Sequence, residues 1–157
     1  MKLSDFVVPE AIVTDLGATD KDGAIAEMVR SLGRAGCFSE ADQDGVARAI
    51  LDREALGTTG VGGGVACPEA RHTAVDRVIG TVALSRSGVD FGAMDGKPVD
   101  ILTLLVGAPH KPADFLLAGQ ILSRHLADGS FCNRLRQAWT REQVVALLEE
   151  ADRNVEE

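Results

Sequence analysis

Residues 57–69, Gly-Thr-Thr-Gly-Val-Gly-Gly-Gly-Val-Ala-Cys-Pro-Glu, are the stretch around which the rest of the chain is organised. Five of these residues are glycine, which permits positive φ angles and lets another group lie directly against backbone N–H donors. Thr58 and Thr59 add hydroxyl donors, and the apolar run 65–67 predicts a strand that stops at Pro68. The composition indicates either the mouth of a binding site or a flexible turn between a helix and a strand.

The glycine spacing differs from both familiar phosphate-binding loops. It lacks the Gly-Lys-Ser/Thr ending of a P-loop, and it precedes a strand where a dinucleotide fingerprint would follow one. We therefore predict an anion site made of loop amides and threonine hydroxyls, without a nucleotide-binding signature. The residues predicted to bind the anion are Thr58, Thr59, Gly60, Gly62 and Gly64.

Length and composition predict one domain over residues 1–157, since 45% of the residues are apolar and suffice for a single core. The net charge of -8 repels a nucleic-acid backbone or an anionic membrane surface on average. Cys37, Cys67 and Cys132 are widely separated, without CxxC spacing or clustered histidines, so no disulfide framework, metal site or cofactor is predicted. No run approaches the ~20 apolar residues that span a bilayer, and we predict a cytoplasmic protein.

Capping residues and apolar spacing predict two helices before the glycine-rich stretch and three after it. The second helix ends near Arg53, which would bring this cation to the mouth of the site. The apolar positions of the helices run from Ala24 to Leu32, Val46 to Leu56, Phe115 to Leu126, Phe131 to Trp139 and Val144 to Leu148. The charged tail from Asp152 onward is predicted to fray.

Short β-branched or apolar runs predict four strands, at 11–14, 65–67, 78–84 and 99–106. The last of these is almost wholly apolar, which predicts a central strand covered by helices on both faces. The segment from Glu69 to Asp76 is a polar patch between two predicted strands, and 85–90 is predicted as the exit from the third strand. Together the elements predict an α/β fold, a three-layer α/β/α sandwich with a central mixed sheet.

Three groups of residues, in this order and spacing, resemble a known family. They are Arg53-Glu54-x-x-Gly57-Thr58-Thr59-Gly60-Val61-Gly62-x-Gly64-Val65-Ala66-x-Pro68, then Ser85-x-x-Gly88-Val89-x-Phe91 with Asp95-Gly96-x-Pro98-Val99, then Leu126-Ala127-Asp128 with Cys132 and Arg134-Leu135-Arg136. Over nearly its whole length the chain resembles the enzyme IIA domains of the fructose and mannitol class of the bacterial phosphotransferase system, including the nitrogen-related branch.

The resemblance implies a protein that accepts a phosphoryl group on a histidine from the phosphorylated histidine-containing phosphocarrier protein. Such a protein passes the group to a transport domain or holds it as a regulatory signal. The acceptor follows the proline of the motif, where this sequence has Glu69, and a second histidine of the family's site falls at about Phe115. Arg53 matches the arginine that neutralises the phosphoryl group, and Thr58 and Thr59 match its hydroxyl neighbours.

Both histidines implied by the resemblance are replaced, and a carboxylate is a poor substitute for a neutral imidazole that attacks phosphorus. We predict a non-catalytic regulatory protein that acts through protein contacts, with the phosphocarrier protein or a regulated transporter or kinase as partner. Glu69 then either imitates the phosphorylated state or marks lost function. The alternatives are a phosphocarrier that uses His72, and a module that binds a small anion or a phosphorylated metabolite at Arg53.

Overall fold

The computed structural model describes residues 1–156. Along the chain, three α-helices are followed by five strands and then by three more α-helices. The helices are α1 (Leu3–Phe6), α2 (Lys21–Arg34), α3 (Glu40–Glu54), α4 (Pro112–Leu126), α5 (Gly129–Arg136) and α6 (Arg141–Glu156). The strands are β1 (Gly60–Gly62), β2 (Val65–Ala66), β3 (Glu69–Arg71), β4 (Ile79–Val89) and β5 (Val99–Gly107). Within residues 1–156, none of the helices is long and apolar enough to cross a membrane.

The five strands form one mixed sheet around β5. On one edge of β5 lie β2 and β3, both parallel to it, and they act as a single strand interrupted at Cys67 and Pro68. On the other edge lies β4, which is antiparallel to β5, while β1 forms a hairpin with β2. The interruption at Pro68 follows from its missing N–H, and Glu69 is the first residue at which the strand resumes.

The side chains of β5 alternate between two hydrophobic cores, as expected for a strand buried on both faces. Leu102 and Leu104 pack in the core that α2 and α3 cover. Ile101 and Leu105 pack in the opposite core, which α1, α4, α5 and α6 cover. The predicted three-layer α/β/α sandwich with a central mixed sheet is confirmed.

The predicted first strand at 11–14 is wrong. The chain makes a 3-10 turn at Pro9–Ala11 and then touches β4 through single bridges, one of them between Val13 and Ala83. The Val13 N–H donates to the Val82 carbonyl at 3.0 Å, and the Val13 carbonyl accepts from the Leu84 N–H at 2.8 Å. Because the turn breaks the extended run, these contacts never become a ladder.

Two further segments are strand although the sequence pattern predicted no strand there. Residues 69–71 form β3, because the backbone resumes pairing with β5 once it has passed Pro68. Residues 85–89 continue β4 through an irregularity in register, at which Gly88 takes a φ of 86°. The polar character of these residues reflects their position at a sheet edge and in a bulge.

The C-terminal tail is also more ordered than predicted, because α6 continues to Glu156. Asp152 is buried, and its carboxylate accepts the N–H groups of Leu3 at 2.7 Å and Ser4 at 3.1 Å. It thereby caps the first turn of α1 and ties both chain ends together. Trp139 is exposed and lies beyond the end of α5, and the Arg86 Cζ is 4.2 Å from the centroid of its ring.

Candidate functional site

Glu69, the first residue of β3, lies where three clefts adjoin. The α3 cleft, about 720 Å³, is lined by Ala49, Arg53, Glu69, Ala70, Arg71, Pro109 and Phe115. The α4 cleft, about 580 Å³, is lined by Glu69, Phe115, Leu116, Gly119, Gln120, Ser123 and Arg124. The hairpin cleft, about 370 Å³, is lined by Arg53, Thr58, Thr59, Val61, Val65, Cys67, Glu69, Ser123, Leu126 and Ala127.

Arg53 reaches the site from the last turn of α3 and lines two of the clefts together with Glu69. Its Nη1 donates to the Gly57 carbonyl at 3.2 Å, which holds the guanidinium at the start of the loop. Within residues 1–156, no nitrogen of Arg53 lies within 4.0 Å of a Glu69 carboxylate oxygen. The structure therefore brings the two predicted residues to one site without pairing them.

The Glu69 carboxylate is half-buried and accepts no hydrogen bond from residues 1–156. Burial, above all, raises its pKa above the usual value, Arg53 lowers it, and the neighbouring Glu54 carboxylate raises it. The net effect is a raised pKa, because the attraction of Arg53 does not offset desolvation. A charged group left in this state is available to a ligand or a partner.

One face of α4 forms the wall opposite Glu69. Phe115, Gly119 and Ser123 recur at a spacing of four residues, which places them along one side of the helix. A Cβ at Gly119 would lie 3.9 Å from Glu69 Oε2, so this glycine leaves room beside the carboxylate. The Phe115 ring lies so close to Gly107 that a Cβ there would be 2.4 Å from it, and the ring fills space at the end of β5.

Beneath the clefts, the buried Glu54 carboxylate fixes the loop. Its oxygens accept the Thr59 N–H at 2.8 Å and the Thr59 hydroxyl at 2.7 Å, and Lys21 Nζ lies 3.3 Å from Oε1. The same Lys21 ammonium lies 4.8 Å from the centroid of the Phe91 ring, a cation–π contact. The Thr59 hydroxyl is thus committed to the scaffold, although the side chain lines the hairpin cleft.

The three predicted glycine ligands do not line the clefts. Gly60 N–H donates to the Thr58 hydroxyl oxygen at 3.0 Å, and Gly63 N–H donates to Asp95 at 3.1 Å. Gly62 and Gly64 have φ values of 99° and 81°, which the tight β1–β2 turn requires. The glycine run therefore builds a hairpin turn, and among residues 1–156 the hydroxyls of Thr58 and Ser123 line the hairpin cleft without donating a hydrogen bond elsewhere.

His72 is placed outside the three clefts. Its Nδ1 accepts the Ala74 N–H at 2.9 Å, so that nitrogen is occupied. Its Nε2 faces α3, where a Cβ at Gly45 would lie 3.1 Å away. The imidazole is therefore held against α3 at a distance of two turns from Arg53 along the helix.

Four residues at the site were missed from the sequence. Arg71 follows Glu69 by two residues, which puts both on one face of β3, but only a predicted strand would have shown this. Ser123 and Arg124 come from α4, where the spacing from Phe115 was a usable signal for Ser123. Glu54 carried no distinguishing signal, since an acidic residue beside Arg53 at a helix end is usually solvated.

Large apolar side chains are exposed on either side of Glu69. Leu116, on α4, is 64% exposed and lines the α4 cleft, and Val61, on β1, is 61% exposed and lines the hairpin cleft. Burial raises the pKa of the Cys67 thiol, which also lines the hairpin cleft. Across residues 1–156, no group of three or more His, Cys, Asp or Glu side chains is arranged to hold a metal ion.

Residues 5–151 match the family described as phosphoenolpyruvate-dependent sugar phosphotransferase system, EIIA 2. A nitrogen regulatory protein of Bradyrhizobium diazoefficiens is 32% identical over 148 residues, which cover 94% of this chain and 95% of the relative. The fructose-specific EIIA component of Haloferax volcanii is 34% identical, with the same coverage. The crystal structure of the nitrogen regulatory protein IIA-Ntr from Neisseria meningitidis superposes with a TM-score of 0.82 and 29% identity, covering 93% of this chain and 98% of that one. The resemblance is thereby confirmed, and the chain belongs to the EIIA 2 family of the phosphoenolpyruvate-dependent sugar phosphotransferase system.

Proposed function

We propose that this chain is a regulatory EIIA-like protein that acts by contact with other proteins of the phosphotransferase system and accepts no phosphoryl group. The observation that carries the proposal is Glu69 at the meeting point of the three clefts, at the position where the family resemblance implies the acceptor histidine. Phe115, at the second histidine's position, fills space and offers no polar contact.

The chemistry of position 69 supports this role. A neutral imidazole can attack phosphorus and yields a phosphoramidate that is energetic enough to be handed on. A carboxylate with its negative charge repels the approaching phosphoryl oxygens and would form an acyl phosphate instead. Glu69 instead places a fixed negative charge near Arg53, a partial imitation of the nearly doubly charged phosphohistidine.

The surroundings of Glu69 support contact with a protein. Leu116 and Val61 lie exposed on opposite sides of the carboxylate, so a partner covering the clefts would bury apolar surface around a charged centre. The histidine-containing phosphocarrier protein and a regulated transporter or kinase are the partners that a regulatory member of this family would contact.

The two alternatives receive less support. Phosphoryl transfer to His72 requires a freely reachable ring nitrogen near Arg53, but Nδ1 accepts the Ala74 N–H and Nε2 faces Gly45. A simple anion site at Arg53 is opposed by the negative charge of Glu69 in the same clefts. Regulation by contact requires neither a nucleophile nor a vacant anion site.

Intact-mass measurement after incubation with phosphoenolpyruvate, enzyme I and the phosphocarrier protein tests the proposal. We expect no mass gain, while an EIIA protein that has the acceptor histidine gains one phosphoryl group in the same reaction. An acid-labile gain that disappears in His72→Ala would overturn the proposal in favour of a phosphocarrier. Loss of phosphocarrier binding in a pull-down with Glu69→Lys, but not with Glu149→Lys on exposed α6, would locate the contact at the clefts.

A further inference from the structure

Arg53 and Glu69 present opposite charges to the same two clefts without satisfying each other. Both line the α3 cleft and the hairpin cleft, and within residues 1–156 neither forms an ion pair within 4.0 Å. They are still close enough for the guanidinium to lower the pKa of Glu69 against the effect of burial. Half-buried opposite charges that line the same clefts with a gap of more than 4.0 Å between them are best satisfied by a group that carries both signs.

We propose that this gap binds a free α-amino acid, with its α-carboxylate on Arg53 and its α-ammonium on Glu69. A simple anion would satisfy Arg53 and be repelled by Glu69, and a simple cation would meet the reverse situation. A zwitterion whose two charges are held on one carbon satisfies both residues, and an arginine fork matches a carboxylate geometrically. The Thr58 hydroxyl lines the same cleft as a further donor for the carboxylate, and the Ser123 hydroxyl is an acceptor for the ammonium.

The walls of the α3 cleft define the preferred side chain. Ala49, Ala70, Pro109 and Phe115 line it with apolar surface, and its volume of about 720 Å³ is ample for an amino-acid side chain. Arg71 lines this cleft, and Arg124 lines the adjoining α4 cleft. Neither of these guanidiniums forms an ion pair with any of residues 1–156.

The local charge therefore favours an acidic ligand. Arg53, Arg71 and Arg124 line the clefts with three positive charges, against one negative charge from Glu69, while the charge of the neighbouring Glu54 is paired with Lys21. This local excess is positive although the whole chain carries -8. An amino acid with an acidic side chain complements this excess, and one with a basic side chain is repelled. The order of affinity expected is L-glutamate, then L-leucine, then L-lysine.

This site does not depend on the proposed regulatory role, because binding is measured on the purified chain alone. Isothermal titration with L-glutamate, N-acetyl-L-glutamate and the α-amide of L-glutamate separates the contributions of the two charges. The acetyl compound lacks the ammonium and the amide lacks the α-carboxylate. We expect each to bind at least about tenfold more weakly than L-glutamate.

Single substitutions test the residues. Arg53→Gln and Glu69→Gln are each expected to weaken L-glutamate binding by about tenfold or more, while Arg48→Gln on exposed α3 and Glu149→Gln on exposed α6 leave it unchanged. Circular dichroism and the unliganded melting temperature establish that each variant is folded. Absence of binding by L-glutamate, L-leucine and L-lysine in the same titration would overturn the proposal. So would equal binding of N-acetyl-L-glutamate, since that result describes a plain anion site.

Discussion

Glu54 and Glu69 are neighbouring carboxylates at one site, but they differ in burial and in hydrogen bonding. Glu54 is only 5% exposed, and it accepts two hydrogen bonds from Thr59 and an ion pair from Lys21. Glu69 is half-buried at the junction of three clefts and has no hydrogen-bond donor among residues 1–156. Arg53 lies next to Glu54 in the sequence, yet it turns toward the clefts that Glu69 lines.

The difference separates the scaffold from the surface that it supports. A buried carboxylate is tolerated only when its hydrogen-bonding capacity is filled, and Glu54 uses that capacity to hold the start of the glycine-rich hairpin. An unpaired carboxylate contributes little to folding, so the fold places little constraint on the chemistry of residue 69. We therefore expect the fold, but not the proposed function of the site, to persist when residue 69 is changed.

The largest effect on stability is expected from Glu54→Ala. The substitution leaves the Thr59 N–H and hydroxyl without their acceptor and leaves Lys21 with only the Phe91 ring. We expect the free energy of unfolding to fall by about 3 kcal/mol, as when one partner of a buried pair is removed. Urea denaturation measures this loss, and Glu54→Gln, which keeps the volume, should fall between the parent and Glu54→Ala.

The matched substitution Glu69→Ala sharpens the contrast. Because Glu69 makes no hydrogen bond or ion pair with residues 1–156, we expect a change within about 0.5 kcal/mol. Equal losses for Glu54→Ala and Glu69→Ala would mean that the two carboxylates share one structural role, contrary to the comparison.

Thr58 and Thr59 show a similar difference between a buried structural contact and a side chain that lines the hairpin cleft. Thr59→Val removes a buried hydroxyl that donates to Glu54 at 2.7 Å, and we expect a loss of about 1.5 to 3 kcal/mol, typical of a hydrogen bond to a charged group. Thr58→Val removes only an acceptor for the Gly60 N–H and should cost about 1 kcal/mol or less. Thermal unfolding of both variants checks the order, and a larger loss for Thr58→Val would contradict the assignment.

Anion binding at Arg53 should depend on the charge of Glu69. Removing that charge by Glu69→Gln takes away repulsion of about 1 kcal/mol at an effective dielectric constant between those of water and of the protein surface. Phosphate should therefore protect Glu69→Gln against unfolding more than it protects the parent, by the difference in RT ln(1 + [L]/Kd). L-glutamate should show the opposite order, and equal phosphate protection of both proteins would place Glu69 outside the anion's reach.

The smallest effect concerns pH. Because the pKa of Glu69 is raised in the folded state, chiefly by burial, the folded protein holds this proton at pH values where the unfolded chain has lost it. The resulting stabilisation is fully present below the ordinary pKa of 4.5 and is lost as pH rises through the folded pKa. Chemical denaturation should show the parent losing about 0.5 kcal/mol or less relative to Glu69→Gln over that interval, and a relative gain would contradict the direction of the shift.

The sequence predicted helices α2 to α6 and the central strand well because their signals are local, and it missed the four-residue α1. The cap at Asp20, whose carboxylate accepts the Gly23 N–H at 2.7 Å, and the apolar run of β5 both follow from residue type and spacing. Strand β3 was missed because it is short, polar and defined only by its pairing with β5. The order of the C-terminal tail was missed because it depends on contacts between Asp152 and the opposite end of the chain.

The candidate site was predicted only in part, because some of its residues follow from a local motif and others come together only in the tertiary structure. The gathering of Arg53, Thr58, Glu69 and Phe115 followed from a family motif, and the structure brings these residues to adjoining clefts. The Gly60 amide was assigned to an anion, but it donates to Thr58. The neighbouring Gly63 amide, which was not assigned, donates to Asp95, a residue far along the sequence. The roles of Glu54, Arg71 and Arg124 required the tertiary structure, since an isolated charge gives no indication of what faces it.

Phosphoryl transfer to three proteins tests most directly the claim that residues 69 and 115 determine the function of the site. The parent, Glu69→His, and Glu69→His combined with Phe115→His are each incubated with the phosphorylated phosphocarrier protein and followed by intact mass. We expect no transfer to the parent, little to the single variant and some to the double variant, because a nucleophile must also be oriented by a polar neighbour. Transfer to the parent at the rate of an EIIA protein with its acceptor histidine would contradict the account.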